Sequence, residues 1–484
     1  MKRWILRVLA IVVAAAVAFG GLLVVNALML RPGEEPEPQA ITFEADIERA
    51  TALLARAIQI ETLSTDLTLP AFPEFLAFMD AEFPAIHSAL DRVDLAARTP
   101  LYRWDGTDPT LAPILLAAHY DVVPAVDGQD GAWTHPPFAG VVADGVIWGR
   151  GALDNKGAVI SILSAVETLL QDGFSPRRTI YLAFGGDEEV GGTGAQAVRD
   201  HLAAEGIQLA WVLDEGSVVG EGVLYGLERP VASVNVAEKG YLTVTLVARD
   251  RGGHSSMPPP MTAAGRIARA VDRLQRAQMP GGLDGVAGEL FDALGPHYTM
   301  RERLLLGNLW IMGPIFEDVL DSGASRGAIL RTTIAPTMLA ASQKENVLPV
   351  EATATINFRI HPRDTIDSTL AHMRAAIDDP EIEIVVDDRT AIDPSPVSST
   401  ETQGWFDIED ALRAVFPEAI VAPGLTFGAT DARFYGAVAD AAYRISPVLV
   451  GADDIATIHG PDERLSIENL AASVTFYGEL ILKQ

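Results

Sequence analysis

Two short segments of this sequence carry histidine or carboxylate side chains at positions that suit catalysis. His119 and Asp121 form an H-x-D pair directly after an apolar run, and strand alternation would place both side chains on one side of the chain. A metal-bound imidazole usually has its other nitrogen held by a carboxylate, which Asp121 could provide. Asp154 stands in GRGALDNKG, a glycine-flanked loop that leads into a helix. Taken alone, the pair would also suit a surface hydrogen bond, and Asp154 would suit helix capping.

Acidic residues are clustered further along the chain. Glu188 and Glu189 follow Asp187 in GGDEEVGG. Like charges this close are unfavourable in a buried cleft unless a cation or a proton compensates them. Because adjacent side chains diverge, one glutamate could bind a metal while the other faces a substrate. In WVLDEG, Asp214 closes a third apolar run and Glu215 is a rival ligand beside it.

A late histidine and the absence of cysteine complete the set of candidate ligands. His459, in TIHGPDE, would by itself be read as an ordinary loop histidine. The chain has no cysteine, which excludes disulfides, thiolate zinc sites and cysteine nucleophiles. Any metal must therefore be bound by His, Asp and Glu side chains.

The elements that would position these residues alternate between strands and helices from about residue 43 to 237. Three apolar runs, at 113–118, 179–184 and 210–213, end in His, Asp or Glu, and a helical pattern occupies 156–171. This order predicts an α/β domain with a mainly parallel sheet and helices on both faces. Ligands bind outside the carboxyl ends of such strands, where the polar residues fall.

A second pattern, from 238 to 387, has the order β-α-β-β-α-β of a ferredoxin-like α+β module. Its predicted strands and helices are 241–248, 262–278, 331–341, 352–360, 365–378 and 382–386. Residues 279–330 do not fit this order and are predicted to be an insertion. The sequence thus predicts a catalytic domain formed by 45–237 and 388–484, interrupted by a lid domain.

Composition and charge restrict the partners. The chain has 484 residues, too many for one ordinary domain, and its 65 acidic against 36 basic residues give a formal charge of -29. That charge disfavours phosphate-rich partners and leaves no nucleic acid among the expected ligands.

The first 30 residues differ from the rest. Three basic residues precede an uncharged, mostly apolar run from Val8 to Leu30, which is long enough to cross a bilayer. We expect an uncleaved membrane anchor with the catalytic part periplasmic or extracellular, because the basic end favours the cytoplasm. The alternative is secretion after signal cleavage. Residues 31–44 are predicted to be an acidic, Pro-rich linker.

The joint order of H-x-D, LDNKG, GDEE, LDEG and a late His resembles the superfamily of co-catalytic zinc metallopeptidases and amidohydrolases, which includes acetylornithine deacetylase, succinyl-diaminopimelate desuccinylase and carboxypeptidases. The segments EKGYLTVTL, GGHSSMPP and FGATDARFYG are most similar to the carboxypeptidase S branch, with its N-fatty-acyl-amino-acid synthase/hydrolases. The resemblance spans about 45 to 480. It implies hydrolysis of an amide bond next to a free carboxylate, in N-acyl amino acids or short peptides.

The resemblance also implies roles for individual residues. It implies that two Zn²⁺ ions, for which cobalt or manganese could substitute, are bound by His119, Asp154, Asp214, Glu189 and His459, with Asp154 bridging and the Asp154–Asn155 peptide bond cis. It implies that Glu188 is the general base and that His254 helps bind the carbonyl oxygen or the developing oxyanion. Asp121 is counted with them as a catalytic residue because it could hold the imidazole of His119. Possible substrate contacts are Asn346, Arg359, Thr430, Asp431 and Arg433.

Several alternatives remain open at this stage. A catalytically inactive binding protein would typically have lost ligands, whereas all are present here. A serine hydrolase using Ser255 or Ser256 lacks a G-x-S-x-G elbow. The apolar insertion could form an acyl-chain pocket or simply pack on the lid, and both monomer and homodimer are compatible with an insertion of this size.

Overall fold

The computed structural model describes residues 2–33, 38–125, 133–222, 226–321, 323 and 327–484. Its helices are α1 Lys2–Met29, α2 Ile47–Ile58, α3 Ala71–Glu82, α4 Pro84–Ala89, α5 Lys156–Gln171, α6 Thr193–Ala204, α7 Ala263–Arg276, α8 Val286–Leu294, α9 Met300–Leu306, α10 Leu309–Asp321, α11 Ile366–Ile377, α12 Gln403–Val415, α13 Ala432–Tyr435, α14 Ala452–Ile455 and α15 Ile467–Leu482.

The strands are short in most cases and group into four sheets. They are β1 Asp91–Asp94, β2 Pro100–Trp104, β3 Ile114–His119, β4 Val141–Ala143, β5 Val146–Trp148, β6 Ile180–Gly185, β7 Trp211–Gly220, β8 Val231–Glu238, β9 Gly240–Arg249, β10 Gly253–His254, β11 Thr333–Ala340, β12 Val347–Leu348, β13 Glu351–Ile360, β14 Ile382–Val386, β15 Ile420–Thr426, β16 Ala442–Val450 and β17 Arg464–Ser466.

The chain divides into two compact units, which are described separately. The large unit comprises residues 36–237 and 396–484, and the small unit comprises 1–35 and 238–395. The large unit is built on an eight-stranded sheet of order β1-β2-β6-β3-β7-β16-β8-β15, in which β6, β3, β7 and β16 are mutually parallel. The predicted α/β class with a mainly parallel sheet is confirmed.

Helix α5 shows how sequence pattern becomes structure in the large unit. Its apolar residues recur at helical spacing, and Val159, Ile162, Leu163 and Val166 are all buried. The helix connects β3 to β6, which are parallel neighbours in the sheet. A crossover of this kind returns the chain so that the two strands end at the same edge. The bounds predicted for this helix from the sequence are confirmed.

Strand β7 departs from the prediction. The segment WVLDEG was expected to end a strand, but β7 continues to Gly220 because its second half also pairs with β16. The register shifts between the Asp214–Arg444 and Val218–Ser446 pairs, so the strand contains a bulge, and Gly216 adopts a φ of 122° there. A bulge changes the direction in which neighbouring side chains project.

The small unit contains a four-stranded antiparallel sheet of order β11-β13-β9-β14. With α7 after β9 and α11 after β13, the chain order is β-α-β-β-α-β and the strands stand in the ferredoxin-like order 4-1-3-2 counted from β14. Both helices contribute to the buried face, as Leu274 on α7 and Met373 on α11 show.

The insertion in this module is helical. Residues 279–330 contain α8, α9 and α10, and Pro314 lies inside α10. Among the described residues, α1 is the one helix whose length and apolar character would allow it to cross a bilayer, features that a signal sequence shares. It belongs to the small unit, whose insertion helices it contacts.

Candidate metal centre

His119 ends β3, and Asp121 holds its imidazole. The imidazole Nδ1 lies 3.0 Å from the Asp121 carbonyl oxygen and 3.3 Å from its carboxylate Oδ1. Both residues are fully buried. These contacts leave Nε2 directed at Asp154 Oδ1, at 3.1 Å, and at Glu215 Oε1, at 3.2 Å. The ring is therefore held so that one nitrogen faces a group of carboxylates.

The three consecutive acidic residues after β6 make different contacts. Asp187 is buried and accepts hydrogen bonds from the backbone N–H groups of Thr193 and Gly194 at the start of α6. Glu188 and Glu189 begin a short 3-10 turn, and their backbone N–H groups donate to the Asp121 carboxylate at 3.1 and 3.2 Å. Asp121 thus positions both His119 and the two glutamates.

Asp154 lies between the two histidines of the centre. Its Oδ1 is 3.1 Å from His119 Nε2 and its Oδ2 is 3.1 Å from His459 Nε2. The peptide bond between Asp154 and Asn155 is cis, as the family resemblance implied. One carboxylate that faces two imidazoles has the arrangement of a bridging ligand.

A buried ion pair that the sequence analysis missed holds the Asp154 loop. Glu463 Oε1 accepts hydrogen bonds from the backbone N–H groups of Gly151, Leu153 and Asp154, each at 3.0 Å. Its other oxygen pairs with the Arg150 guanidinium, and both side chains are buried. Both residues stand in the quoted motifs, GRGALDNKG and TIHGPDE, so a charged residue in each motif was the available signal.

The structure does not bring Asp214 into the group of ligands. Its two oxygens accept hydrogen bonds from the backbone N–H groups of Glu215, at 2.9 Å, and Ala432, at 2.8 Å. Glu215 instead points at His119 and also accepts a hydrogen bond from the Asn155 amide. The Asp214 ligand therefore stays a prediction, and Glu215 is the carboxylate of this segment that faces His119 in the structure.

His459 closes the other side of the centre. Its Nε2 lies 3.2 Å from Glu189 Oε1, and its backbone φ is 60°. Its side chain is 51% exposed, whereas that of Glu189 is 7% exposed. The centre is thus open to solvent at the histidine and enclosed at the carboxylates.

The electrostatics of the cluster call for a cation. Burial, followed by the charge of Asp154, raises the pKa of Glu215 to about 7. Burial also raises the pKa of Glu188, with Asp431 and Glu215 adding to the effect against His119. Hydrogen bonds to Asp154 and Glu189 raise the pKa of His459 to about 10. Without a cation, ionising Glu188 and Glu215 together is unfavourable, and a divalent ion would remove that free-energy cost.

The ligand atoms are close enough to surround such an ion. Two groups have ligand atoms that all lie within 4.8 Å of one another, namely His119, Asp154 and Glu189, and His119, Glu188 and Glu215. Imidazole and carboxylate ligands suit zinc and other first-row divalent metals. The residues present therefore fit a metal centre.

A cavity of about 440 Å³ adjoins this centre within the large unit. Asp154 and Glu215 line one end, and the remaining lining is mostly small or apolar, including Val218, Phe427 and Ile458. Thr430 also lines the cavity. It is the first of the three residues expected at the substrate site in this segment.

Asp431 and Arg433 were expected at the same site, and their substrate contacts stay predictions. Asp431 is buried, its oxygens approach Gly185 and Gly192, and burial with the charge of Asp214 raises its pKa. Arg433 lies over the Phe434 ring at 4.5 Å. Among the described residues, neither lines the cavity.

The small unit brings two of the expected lid residues together. Strands β10 and β12 pair His254 with Val347, and the Ser255 N–H donates to the Asn346 carbonyl at 3.2 Å. His254 is exposed, with Nδ1 2.8 Å from Ser256 Oγ. Arg359 stands on β13 and lies over the Tyr241 ring at 4.4 Å.

A mainly parallel sheet with His119 at a strand end, faced by a loop histidine, His459, and a set of carboxylates, is the arrangement of a metal-dependent hydrolase. Comparison with known proteins identifies the family within that class. The chain belongs to the peptidase family M20/M25/M40, whose profile matches residues 115–483. The M20 family is metal-dependent, and the cluster around His119 could bind metal.

Similar proteins cover most of this chain. An N-fatty-acyl-amino acid synthase/hydrolase PM20D1 of Xenopus tropicalis is 39% identical over 451 residues, which are 91% of this chain and 87% of the relative. A probable carboxypeptidase S-like 2 of Dictyostelium discoideum is also 39% identical, covering 91% and 86%. The crystal structure of the M20 metallo-carboxypeptidase Sso-CP2 of Sulfolobus solfataricus, 16% identical, shares the fold with a TM-score of 0.61, over 89% of this chain and 98% of the other.

Proposed function

We propose that this protein uses two zinc ions to hydrolyse an amide bond next to a free carboxylate, in N-acyl amino acids or short peptides. The observation that carries the proposal is the position of Glu188, whose carboxylate lies in one group with His119 and Glu215 at the Asp154 centre. A carboxylate beside a metal site is where a water-activating base must stand. The names of the relatives support the substrate class.

The proposed ligand set follows the geometry. His119, Asp154 and Glu215 would hold one ion, and Asp154, Glu189 and His459 would hold the other. Glu215 takes the place that the sequence analysis gave to Asp214. Zinc is the expected metal, and the same ligands would accept cobalt or manganese. When bound, such ions supply Lewis acidity at the substrate carbonyl and lower the pKa of water.

Glu188 performs the proton transfers in this proposal. The raised pKa of its carboxyl, caused first by burial, suits a group that must both accept and release a proton. It takes a proton from the attacking water and later delivers it to the leaving nitrogen. Asp121 holds the backbone of Glu188 in place by its hydrogen bond, so the base stays aimed at the reacting water.

The cavity beside Asp154 and Glu215 is the proposed pocket for the acyl or side-chain part of the substrate. Its lining of Leu153, Val218, Phe427 and Ile458 offers apolar surface, and Thr430 offers a hydroxyl. A volume of about 440 Å³ is in the range of small-molecule sites. This lining favours an apolar acyl chain over a charged side chain.

In the small unit, His254, Asn346 and Arg359 are the proposed contacts for the oxyanion and the substrate carboxylate. The pairing of β10 with β12 presents His254 beside Asn346, and both are exposed. We propose that the small unit is the lid of the enzyme. Arg359 would supply the positive charge for the carboxylate.

The N-terminal helix is the proposed membrane anchor, with the catalytic part on the outer side. Its length and the basic residues at its start support this orientation. Extraction of membranes at alkaline pH and mass measurement of the extracted protein test it. An anchored protein stays in the membrane pellet with residues 1–30 present, whereas a soluble protein that lacks them is a cleaved, secreted one.

Amino-acid release by the full-length protein tests the reaction. N-acetyl, N-long-chain-acyl and dipeptide substrates are compared with zinc present, using Glu188→Gln and, as a matched control, Glu205→Gln at the exposed end of α6. Loss of release by about 10²-fold or more in Glu188→Gln alone is expected for removal of a general base. No release from any substrate by a folded protein that holds two metals would contradict the proposal and favour an inactive binding protein.

A further inference from the structure

The apolar N-terminal helix contains one amide side chain, and the insertion provides its partner. Asn26 Nδ2 donates to Asn308 Oδ1 at 2.9 Å, and Asn308 Nδ2 donates to the Leu23 carbonyl at 3.0 Å. Asn308 is fully buried. Because an unpaired amide is costly in an apolar environment, this pair makes α1 compatible with hydrocarbon only while it contacts the insertion.

Small residues bring the helices close together. A Cβ on Gly307 would lie 3.0 Å from the Asn26 carbonyl and 3.1 Å from the Ala27 nitrogen. A Cβ on Gly295 would lie 3.2 Å from the Leu30 side chain. Ala27 is fully buried in this contact. Close approach through small residues is the mode of packing that helices use within membranes.

The contacts run along α1 in reverse order. Arg303 on α9 donates to the Leu30 carbonyl, Asn308 reaches Leu23, and the Trp310 ring meets Phe19 edge to face at 6.2 Å. Phe19 and Leu30 are eleven positions apart, which corresponds to about 16 Å at the helical rise. The segment formed by α9 and α10 thus descends along the last third of α1, in the direction opposite to that helix. Further along, α10 returns toward α8, where Phe316 contacts Phe291.

The outer surface of this descending segment is apolar. Trp310 is 63% exposed and Ile315 is 54% exposed, and Ile311 and Val319 are exposed as well. The charged residues of the segment lie at its two ends, with Arg301 and Arg303 on α9 and Glu317 and Asp318 near the end of α10. An apolar middle between charged ends matches a segment that enters a bilayer and leaves it on the same side.

We propose that α9 and the first half of α10 dip into the outer leaflet beside α1, so that lipid covers Trp310, Ile311 and Ile315. This inference rests on the proposed anchor. The covering partner is the bilayer because the apolar surface continues directly from a helix that would itself be surrounded by lipid. Exposed aromatic and aliphatic side chains at this level would otherwise face water.

Quenching of single labels tests the inference, since the chain contains no cysteine. Full-length Ile315→Cys, Val12→Cys and Met338→Cys proteins carry a nitrobenzoxadiazole label in vesicles of three parts phosphatidylcholine to one part phosphatidylglycerol. Met338 is the matched control, because it is exposed on β11 of the same unit. Doxyl-lipid and aqueous iodide are the two quenchers, and amino-acid release is measured on the same samples.

The expected result is that doxyl-lipid quenches the labels at 315 and 12 about threefold more than the label at 338, with iodide showing the reverse order. Iodide access at 315 equal to that at 338, with 12 still quenched by lipid, would overturn the inference while the anchor stands. Protection of 315 from both quenchers would overturn it in favour of a protein cover, such as a second copy. If doxyl-lipid quenched neither the label at 12 nor the label at 315, both the proposed anchor and this inference would be overturned.

Discussion

The Oδ1 atom of Asp121 accepts a hydrogen bond from the backbone N–H of Glu188 at 3.1 Å. The same oxygen lies 3.3 Å from His119 Nδ1, so one buried carboxylate fixes both the candidate ligand and the candidate base. Because β3 and β6 are parallel neighbours, the residues that follow them meet at one edge of the sheet. The same carboxylate, that of Asp121, thus holds both the H-x-D pair and the GDEE loop in place.

Replacing Asp121 by Asn is expected to lower the rate of amino-acid release by about 10- to 100-fold, the usual effect of losing a carboxylate that orients a metal-binding histidine. The neutral amide can still accept hydrogen bonds but does not favour the same imidazole tautomer. Steady-state kinetics with metal analysis measures the effect. Asp200→Asn, on the exposed surface of α6, is the control. Unchanged kinetics in Asp121→Asn would contradict this role.

Glu215→Gln and Asp214→Asn distinguish the two rival ligands. We expect Glu215→Gln to lose one of two bound metal ions after dialysis, because its carboxylate faces His119. Asp214→Asn is expected to keep both ions, because its oxygens accept backbone N–H groups. Elemental analysis by mass spectrometry gives the stoichiometry. The opposite pattern would restore Asp214 as the ligand.

Removing one partner of the buried ion pair between Arg150 and Glu463 should strongly lower the free energy of unfolding. Glu463→Gln is expected to lower the free energy of unfolding by about 3–5 kcal/mol, because Arg150 would keep a buried charge without its partner. The double variant Arg150→Met, Glu463→Gln should lose less than the sum of the losses in Arg150→Met and Glu463→Gln. Denaturant unfolding of the four proteins completes the cycle.

An exposed pair provides the comparison for this cycle. Asp272 and Arg276 are both exposed and lie one helical turn apart on α7. Surface pairs contribute little to stability, so Asp272→Asn should leave the midpoint of unfolding unchanged. A loss in Glu463→Gln no greater than the loss in Asp272→Asn would show that the buried pair does not stabilise the Asp154 loop.

The lowered pKa of His361 predicts that the protein loses stability in acid. Burial, followed by the charges of Arg363 and Lys239, lowers its pKa from 6.5 to about 4. Its Nδ1 accepts hydrogen bonds from Arg363 N–H groups, so a proton there would face two donors. Between pH 6.5 and 4 the unfolded chain binds a proton that the folded chain does not. Stability from this group is therefore present above pH 6.5 and is lost as pH falls, by up to about 3 kcal/mol.

Thermal unfolding at pH 7.5, 6 and 5 measures this effect. The difference in unfolding free energy between the natural protein and His361→Gln should shrink as the pH falls, because glutamine does not titrate. His201→Gln on α6 controls for loss of a histidine elsewhere. A difference that stays constant over this range would show that the pKa of His361 is the same in the folded and the unfolded chain.

Local pattern was sufficient for several elements. The apolar residues of α5 recur at helical spacing and are flanked by loop residues, so its bounds could be predicted, and the bounds of β14 could be predicted as well. The rule that ligands gather at the carboxyl ends of parallel strands predicted that His119, Glu188 and Asp214 lie near one another, and the family resemblance added Asp154. These inferences need only near neighbours in the chain.

Other features depend on partners that are distant in sequence. Glu463 is 313 residues from Arg150, and no spacing rule connects them. Glu215 faces His119 from a bulge in β7, where that strand shifts register against β16. The contact of α1 with the insertion likewise joins Asn26 to Asn308, 282 residues apart.

By itself, the sequence determined the class of most elements and the family resemblance, which in turn predicted the candidate ligands, because periodicity and motif chemistry are local. Only the tertiary structure decided that the Glu215 carboxylate faces His119, that Asp431 is buried, and that Glu463 holds the Asp154 loop. The physical reason is that strand register and side-chain direction are set by pairing and packing between segments far apart in the chain.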